Sequence, residues 1–495
     1  MKKFAELKNW INDNKYKVSF VFLVYFVAIY TISIVNFPYI DDIGRKVAGF
    51  TSFGIGYSRW GSEFLSWIFQ GSRHLTDTGV TNHILTAIIL SITSIIALYI
   101  FFQDKKISYV AALCSTLIGL NPFFLECISF RFDSPYMAVS VFCCYFPFLF
   151  WNKKNLFILI STMSVFIMCN TYQQSSGIFV VVALSIFIYS VILDDDLKKN
   201  SLSLIRSAIS FVLAMCFYII ETKLNSELSN RGTQVQIASL IDIPKKLIVN
   251  SKIYLNEIIN DSAKIWIVLY ILIIAMFVIV SLIKLRKKSI LNTIMILIYT
   301  CISLFLSYGV LLVFEYPLVL QHTRYGEYGF GNYLAILMLM MISFVNKKRI
   351  FKLFIDIMLS LFMFYQISFS FTFAAMLDVQ KETFEDNAVM LATDLEELVV
   401  KNNPSKVYFN RLFTKSATLK NAERNFPVLA KSIPSIEAIY WPNAIWFNEV
   451  TGLNIDFSLE LKNYGDFPLD ETKLYKDTAK YRIYSLPNII FVEMK

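Results

Sequence analysis

Charge is scarce in this chain. Of 495 residues, 17% are Asp, Glu, Lys or Arg, whereas 56% are hydrophobic. Average globular chains carry about 25% charged and about 45–50% apolar residues, so a disordered chain and a single soluble domain are both excluded. Histidine is scarcer still. His74, His83 and His322 are scattered, with no HExxH and no paired spacing, which argues against a zinc site. The seven cysteines lie in or beside apolar segments, none in a CxxC and none in the last 120 residues. That pattern excludes a disulfide framework and a structural zinc site. There is no Walker loop, GxGxxG or GxSxG element, so nothing points to a cytosolic nucleotide site. Internal repeats and low-complexity stretches are absent as well.

What the chain has is apolar length and aromatic mass, with 45 Phe and 27 Tyr. Eleven apolar segments can be drawn: 18–37, 80–102, 107–120, 136–151, 156–169, 177–193, 203–221, 263–283, 290–314, 331–346 and 353–375. The expected architecture is a polytopic α-helical membrane protein with about 11 transmembrane helices. Met1–Lys17 is basic but too long and polar for a signal-peptide n-region, so the first run is expected to be a retained helix. With residues 1–17 cytoplasmic, the connections alternate. The inner ones hold 20 Lys/Arg in 50 positions; the outer loops 38–79, 121–135, 169–176, 222–262 and 315–329 hold 11 in 121. This is the asymmetry of the positive-inside rule, and it accounts for the net charge of +9 without invoking nucleic acid. An odd number of spans puts residues 376–495 outside the cell. That region is expected to be an extracytoplasmic α/β or α+β domain, with an amphipathic helix over 376–402 and strands at Val407–Phe409, Tyr481–Tyr484 and Ile489–Val492.

Inner turns are short and basic, such as Asp104-Lys105-Lys106 and Asn346-Lys347-Lys348-Arg349; outer loops are longer and mixed. Long mixed loops are where function concentrates. Asp41 and Asp42 open the first outer loop, followed by Arg45. Paired carboxylates at headgroup level suit a general base toward a hydroxyl; they equally suit the first turn of an interfacial helix. Arg59 and Trp60 fit a phosphate beside an apolar or sugar face; Trp60 alone also reads as an interfacial anchor. Glu126, Arg131 and Asp133 sit at span ends, where an ionisable group is a functional candidate, though Arg131 and Asp133 can simply neutralise each other. Tyr172, Gln173 and Gln174 can bind sugar hydroxyls or cap helix ends. His322 and Arg324, near the surface, can grip a lipid-linked phosphate.

In these residues the chain resembles the GT-C glycosyltransferases, which use lipid-phosphate-linked sugars. More narrowly, the Tyr39–Arg45, Asn121–Glu126, Arg131–Pro135 and Tyr172–Ser175 stretches look like the bacterial type II glucosyltransferase family. That family includes phage-borne enzymes that convert O-antigen serotype. The likeness covers roughly residues 15–345. It implies a GT-C-like membrane domain over 18–375 in the bacterial cytoplasmic membrane, an undecaprenyl-phosphate-glucose donor and a surface polysaccharide acceptor on the outer face. The chemistry fits independently: outside the cell a sugar donor must arrive on a lipid, and a lipid donor needs a site at bilayer height.

The mechanism so implied is a single displacement at the anomeric carbon. Asp41 or Asp42 takes the acceptor proton, with Glu126 and Asp133 as second-choice bases. Arg45, Arg59, Arg131, Arg324 and His322 stabilise the departing phosphate, and Trp60, Tyr172, Gln173 and Gln174 contact sugar. No metal is required; a divalent ion on Asp41 and Asp42 is open to the chemistry but unsupported by ligand count. The competing reading is a flippase for lipid-linked sugar. It predicts paired halves and mid-membrane charges, whereas here the ionisable residues gather at one boundary.

Overall fold

The computed structural model describes residues 2–51, 56–103, 106–225, 236–345, 349–402, 406–469 and 473–495. Asp104, Lys105, Asn346, Lys347, Lys348 and Pro404, and the loop portions 52–55 and 226–235, lie outside the described residues. The chain is mostly helical. Among the described residues, six helical stretches are long and apolar enough to cross a membrane: Lys15–Val35, Thr81–Phe102, Lys154–Leu193, Leu197–Leu224, Lys264–Lys284 and Ile350–Lys401. Four shorter apolar ones, Tyr109–Leu120, Ser134–Phe150, Ile290–Leu306 and Tyr328–Phe344, cover the other segments expected from the sequence.

The residues explain the ends of these helices. Asp196 accepts from the Lys199 amide at 3.0 Å and starts Leu197–Leu224. Ser108 and Ser289 cap their helices in the same way. Each supplies an acceptor to an otherwise orphaned amide. Two of the helices depart from expectation. The outer segment 222–262 contains a 19-residue helix, Ile243–Asp261, started by Pro244 in its first turn. The span over 353–375 and the amphipathic stretch over 376–402 form one 54-residue helix, Arg349–Asn402. No Gly or Pro interrupts 353–402, so nothing breaks the hydrogen-bond ladder where the apolar run gives way to an amphipathic one.

The chain divides into two compact units. The first comprises Met1–Ile34, Thr51–Phe373 and Phe426–Ser432; the second comprises Val35–Phe50, Ala374–Asn425 and Ile433–Lys495.

In the first unit, several polar side chains inside helices find partners on neighbouring helices, which offsets the cost of burying them in an apolar setting. The Tyr25 hydroxyl meets Ser94 Oγ at 2.8 Å, and Trp10 Nε1 donates to the Phe102 carbonyl at 2.9 Å. Small residues allow close approach. Gly177 and Gly329 both press on Ser307: a Cβ at either would stand 2.1 or 2.0 Å from the Ser307 carbonyl oxygen.

The second unit carries a five-stranded sheet of β1 (Lys406–Phe409), β2 (Phe457–Leu461), β3 (Leu474–Asp477), β4 (Tyr481–Leu486) and β5 (Ile489–Met494), ordered β2-β1-β5-β4-β3. β1 runs parallel to β2 and β5; β3, β4 and β5 are antiparallel. Leu486 pairs with Ile489, leaving Pro487-Asn488 as the turn, and Asn488 takes the φ of +67° that asparagine tolerates. Phe384 stacks on Trp446 at 3.9 Å, and Phe37 meets the same indole edge-on at 5.3 Å.

Candidate functional site

In the first unit, His322 and Arg324 meet one buried carboxylate, Glu126, and Tyr172 links Arg324 to Arg59. Glu126 is in the short helix Leu125–Ser129 and has no solvent exposure. Its Oε2 accepts from Thr323 Oγ1 at 2.8 Å and from the Arg324 backbone amide at 2.9 Å. Its Oε1 faces the Arg324 guanidinium in a close ion pair and lies 3.0 Å from His322 Nδ1. Burial pushes the Glu126 carboxyl up. Arg324, His322 and the Arg324 amide more than reverse that and hold it at about 2.

The Arg324 guanidinium lies against two aromatic rings, 5.0 Å from Phe130 and 4.8 Å from Tyr325. Tyr172 ends the helix Lys154–Tyr172 and donates its hydroxyl to the Arg324 carbonyl at 3.0 Å. The other side of the site is Arg59, whose guanidinium lies 4.8 Å from the Tyr172 ring and 5.2 Å from Tyr57. Arg59 Nε is enclosed and has no hydrogen-bond partner, and no carboxylate pairs with Arg59 among the described residues. Tyr172 therefore touches both arginines, its ring against the Arg59 guanidinium and its hydroxyl on the Arg324 carbonyl; Arg324 is neutralised by an acid, and Arg59 has no acid partner among the described residues.

Gln173 supports the Arg59 segment. Its amide donates to Tyr218 Oη at 2.6 Å and lies 3.3 and 3.4 Å from the Tyr57 and Ser58 carbonyls. Gln174 is buried, with its Oε1 unpartnered among the described residues. Trp60 is partly exposed and donates to Glu221 at 2.5 Å, a carboxylate that also accepts from Asn170 at 2.9 Å. Arg131 turns toward the first outer loop, 3.2 Å from Asp77 and 2.8 Å from the Gly79 carbonyl. Asp133 stands at the start of Ser134–Tyr145.

Asp41, Asp42 and Arg45 belong to the second unit. They lie on the helix Asp41–Ala48, with both acids in the first turn and Arg45 and Lys46 in the last, as the helix dipole favours. Asp42 and Arg45 are buried. Ile40, just before the pair, has φ +46°, a left-handed conformation that costs a β-branched residue strain.

A second charged cluster in the first unit was not visible in the sequence. Lys431, in the segment Phe426–Ser432, reaches Glu257 at 2.8 Å, Asp261 at 2.8 Å and Glu327 at 3.0 Å. Burial alone would lower the Lys431 ammonium; the carboxylates around it more than reverse that and keep it charged. Glu327 has no exposure. Burial, with Asp261 beside it, pushes its carboxyl well above the usual range despite Lys431. One signal was present: Glu257 and Asp261 are like charges four residues apart, a spacing that destabilises a helix unless a cation intervenes.

Comparison with known proteins gives the chain its class. The model of the glucosyl transferase GtrII family matches residues 30–326, and the chain belongs to that family. The match takes in Asp41, Asp42, Arg59, Glu126, Tyr172, His322 and Arg324 and ends one residue before Glu327. A relative from Salmonella phage P22, described as an uncharacterized 55.3 kDa protein in the gtrB 5′ region, is 30% identical over 169 residues. That alignment spans 33% of this chain and 33% of the relative. No solved structure matches the chain.

Proposed function

We propose that this chain transfers glucose from undecaprenyl-phosphate-glucose to a surface polysaccharide at the outer face of the bacterial cytoplasmic membrane. The family supplies the glucosyl transfer. The observation that carries the donor is Arg59: a half-buried guanidinium with no acid partner among the described residues, set against the Tyr172 ring whose hydroxyl holds the Arg324 carbonyl. An enclosed cation without a counter-ion is costly, and a phosphate supplies the missing charge with bidentate geometry.

In this reading the acceptor hydroxyl attacks the anomeric carbon. The bond from that carbon to the phosphate oxygen breaks, and its electron pair leaves with the lipid phosphate. Arg59, Arg324 and the exposed side of His322 receive the growing negative charge. The acceptor proton goes to Asp41 or Asp42. Glu126 orients rather than accepts: both its oxygens are occupied by donors, and its carboxyl is held at about 2. Asp133 remains a second-choice base. Trp60, Gln173 and Gln174 line the sugar side, and Arg45 and Arg131 are outlying phosphate candidates. The GT-C-like fold, the count of eleven spans, and an outward C-terminal domain over 376–495 are part of the same proposal, supported by the distribution of Lys and Arg between connections.

The test uses membranes supplied with glucosylated undecaprenyl phosphate. Asp41→Asn and Asp42→Asn should express normally, and at least one should abolish transfer. Arg59→Ala should raise the KM for the lipid donor while leaving the protein folded. Wild-type transfer from all three variants would remove the assignment.

A further inference from the structure

We infer that Lys431 is a positioning residue for the donor site: by holding Glu327 it fixes the His322–Glu327 turn that presents Arg324 and His322. The inference rests on the phosphate-binding reading of that turn, and it lies beyond the family-matched residues 30–326.

The turn is pinned at both ends. At its start, Thr323 and Arg324 are tied to Glu126 by a side-chain and a backbone hydrogen bond. At its end, Glu327 donates its amide to the Thr323 carbonyl at 3.2 Å and holds Lys431 with its side chain. Between them Gly326 adopts φ +106°, and a Cβ there would stand 2.7 Å from the Tyr308 ring, so the backbone has little freedom to relax.

Lys431 is itself held firmly. Phe426 packs 5.1 Å from Phe369 and 5.6 Å from Trp266, and the Val428 amide donates to the Asp261 carbonyl at 3.0 Å. Asp261 therefore receives both the backbone and the ammonium of this segment.

Stability alone is a poor explanation for the cluster. Burying an ammonium among three carboxyls is costly, and well-packed apolar residues would serve the fold as well or better. What the cluster achieves is directional: an ammonium with three acceptors at 2.8, 2.8 and 3.0 Å admits one position for Glu327. A shift of about 1 Å at a binding group costs up to about 100-fold in rate, so the turn's register matters to Arg324.

The experiment compares full-length wild type with Lys431→Met, Lys431→Arg and the charge-matched Lys431→Met/Asp261→Asn. It measures donor KM, acceptor KM and kcat, together with binding of undecaprenyl phosphate as the probe. Lys431→Met should raise donor KM and weaken probe binding about 10-fold to 100-fold, with acceptor KM unchanged and Lys431→Arg recovering most of the loss. If Lys431→Met fails to fold, the charge-matched variant should fold and show the same donor-specific loss.

Unchanged donor KM and probe binding, or equal losses for donor and acceptor, would overturn the inference. The probe arm keeps it separate from the function itself. A wild-type protein that binds undecaprenyl phosphate but transfers no glucose would refute the proposed function; the Lys431 comparison would still read out through binding.

Discussion

At the scale of single residues, Glu126 is the group on which the site depends. Its charge is compensated by a guanidinium, an imidazole, a hydroxyl and an amide, and it has no solvent. Replacing one partner of such a buried pair costs about 3–5 kcal/mol, so Glu126→Gln should lower the melting temperature of the purified protein in detergent. The pH dependence has a definite sign. The folded value of about 2 lies below the ordinary 4.5, so the carboxylate's contribution is fully present above about 4.5 and is lost as pH falls toward about 2. The melting-temperature gap between wild type and Glu126→Gln should therefore be constant near neutrality and close on acidification through that window. A gap that widened on acidification would show that the carboxylate is not held ionised by its neighbours.

The sequence marked Glu126, His322 and Arg324 as polar residues on one side of the membrane, but not as a unit. Glu126 and Arg324 are 198 residues apart, and no local spacing encodes their meeting. For Arg131 the nearest acid in sequence was Asp133, whereas the ion pair found is with Asp77 across a loop.

At the scale of elements, periodicity and apolar length carried most of the information. All eleven apolar segments fall on helices, and β1, β4 and β5 stand where β-branched and aromatic runs placed them. The Ile243–Asp261 helix escaped notice because its apolar residues are interleaved with Lys245, Lys246, Lys252 and Glu257, which reads as loop beside the spans. β2 and β3 escaped because both keep mostly exposed side chains, so neither carries the apolar run that marks a strand in sequence. Helix contacts are governed by small residues, which let backbones approach in an apolar environment. Gly177 is the sharpest case, since an added Cβ meets the Ser307 carbonyl at 2.1 Å and the Gly309 amide at 2.7 Å, both rigid backbone. Gly177→Ala should force these segments apart and lower thermal stability by about 1–3 kcal/mol, the usual cost of overpacking. Gly56→Ala, where nothing lies within 4 Å, serves as the control and should be neutral on the same denaturation assay.

At the scale of the whole molecule, two compact units divide the expected chemistry. Arg59, Arg131, His322 and Arg324 lie in the unit built from the apolar helices, and the Asp41–Asp42 pair lies in the unit that carries the sheet. Composition revealed the membrane character, and the alternation of basic turns suggested an orientation. Membership of the family followed from segments spread over most of the helical part. The segment Phe426–Ser432 was not legible, because its assignment to the first unit depends on partners 104 to 174 residues away. The proposed function stands on the identity of the donor, and reconstitution tests that most directly. Purified protein in liposomes would be given isolated acceptor polysaccharide and labelled glucose, carried either on undecaprenyl phosphate or on a nucleoside diphosphate. Label should pass to the polysaccharide from the lipid donor alone. Transfer from the nucleotide sugar with none from the lipid would contradict the account.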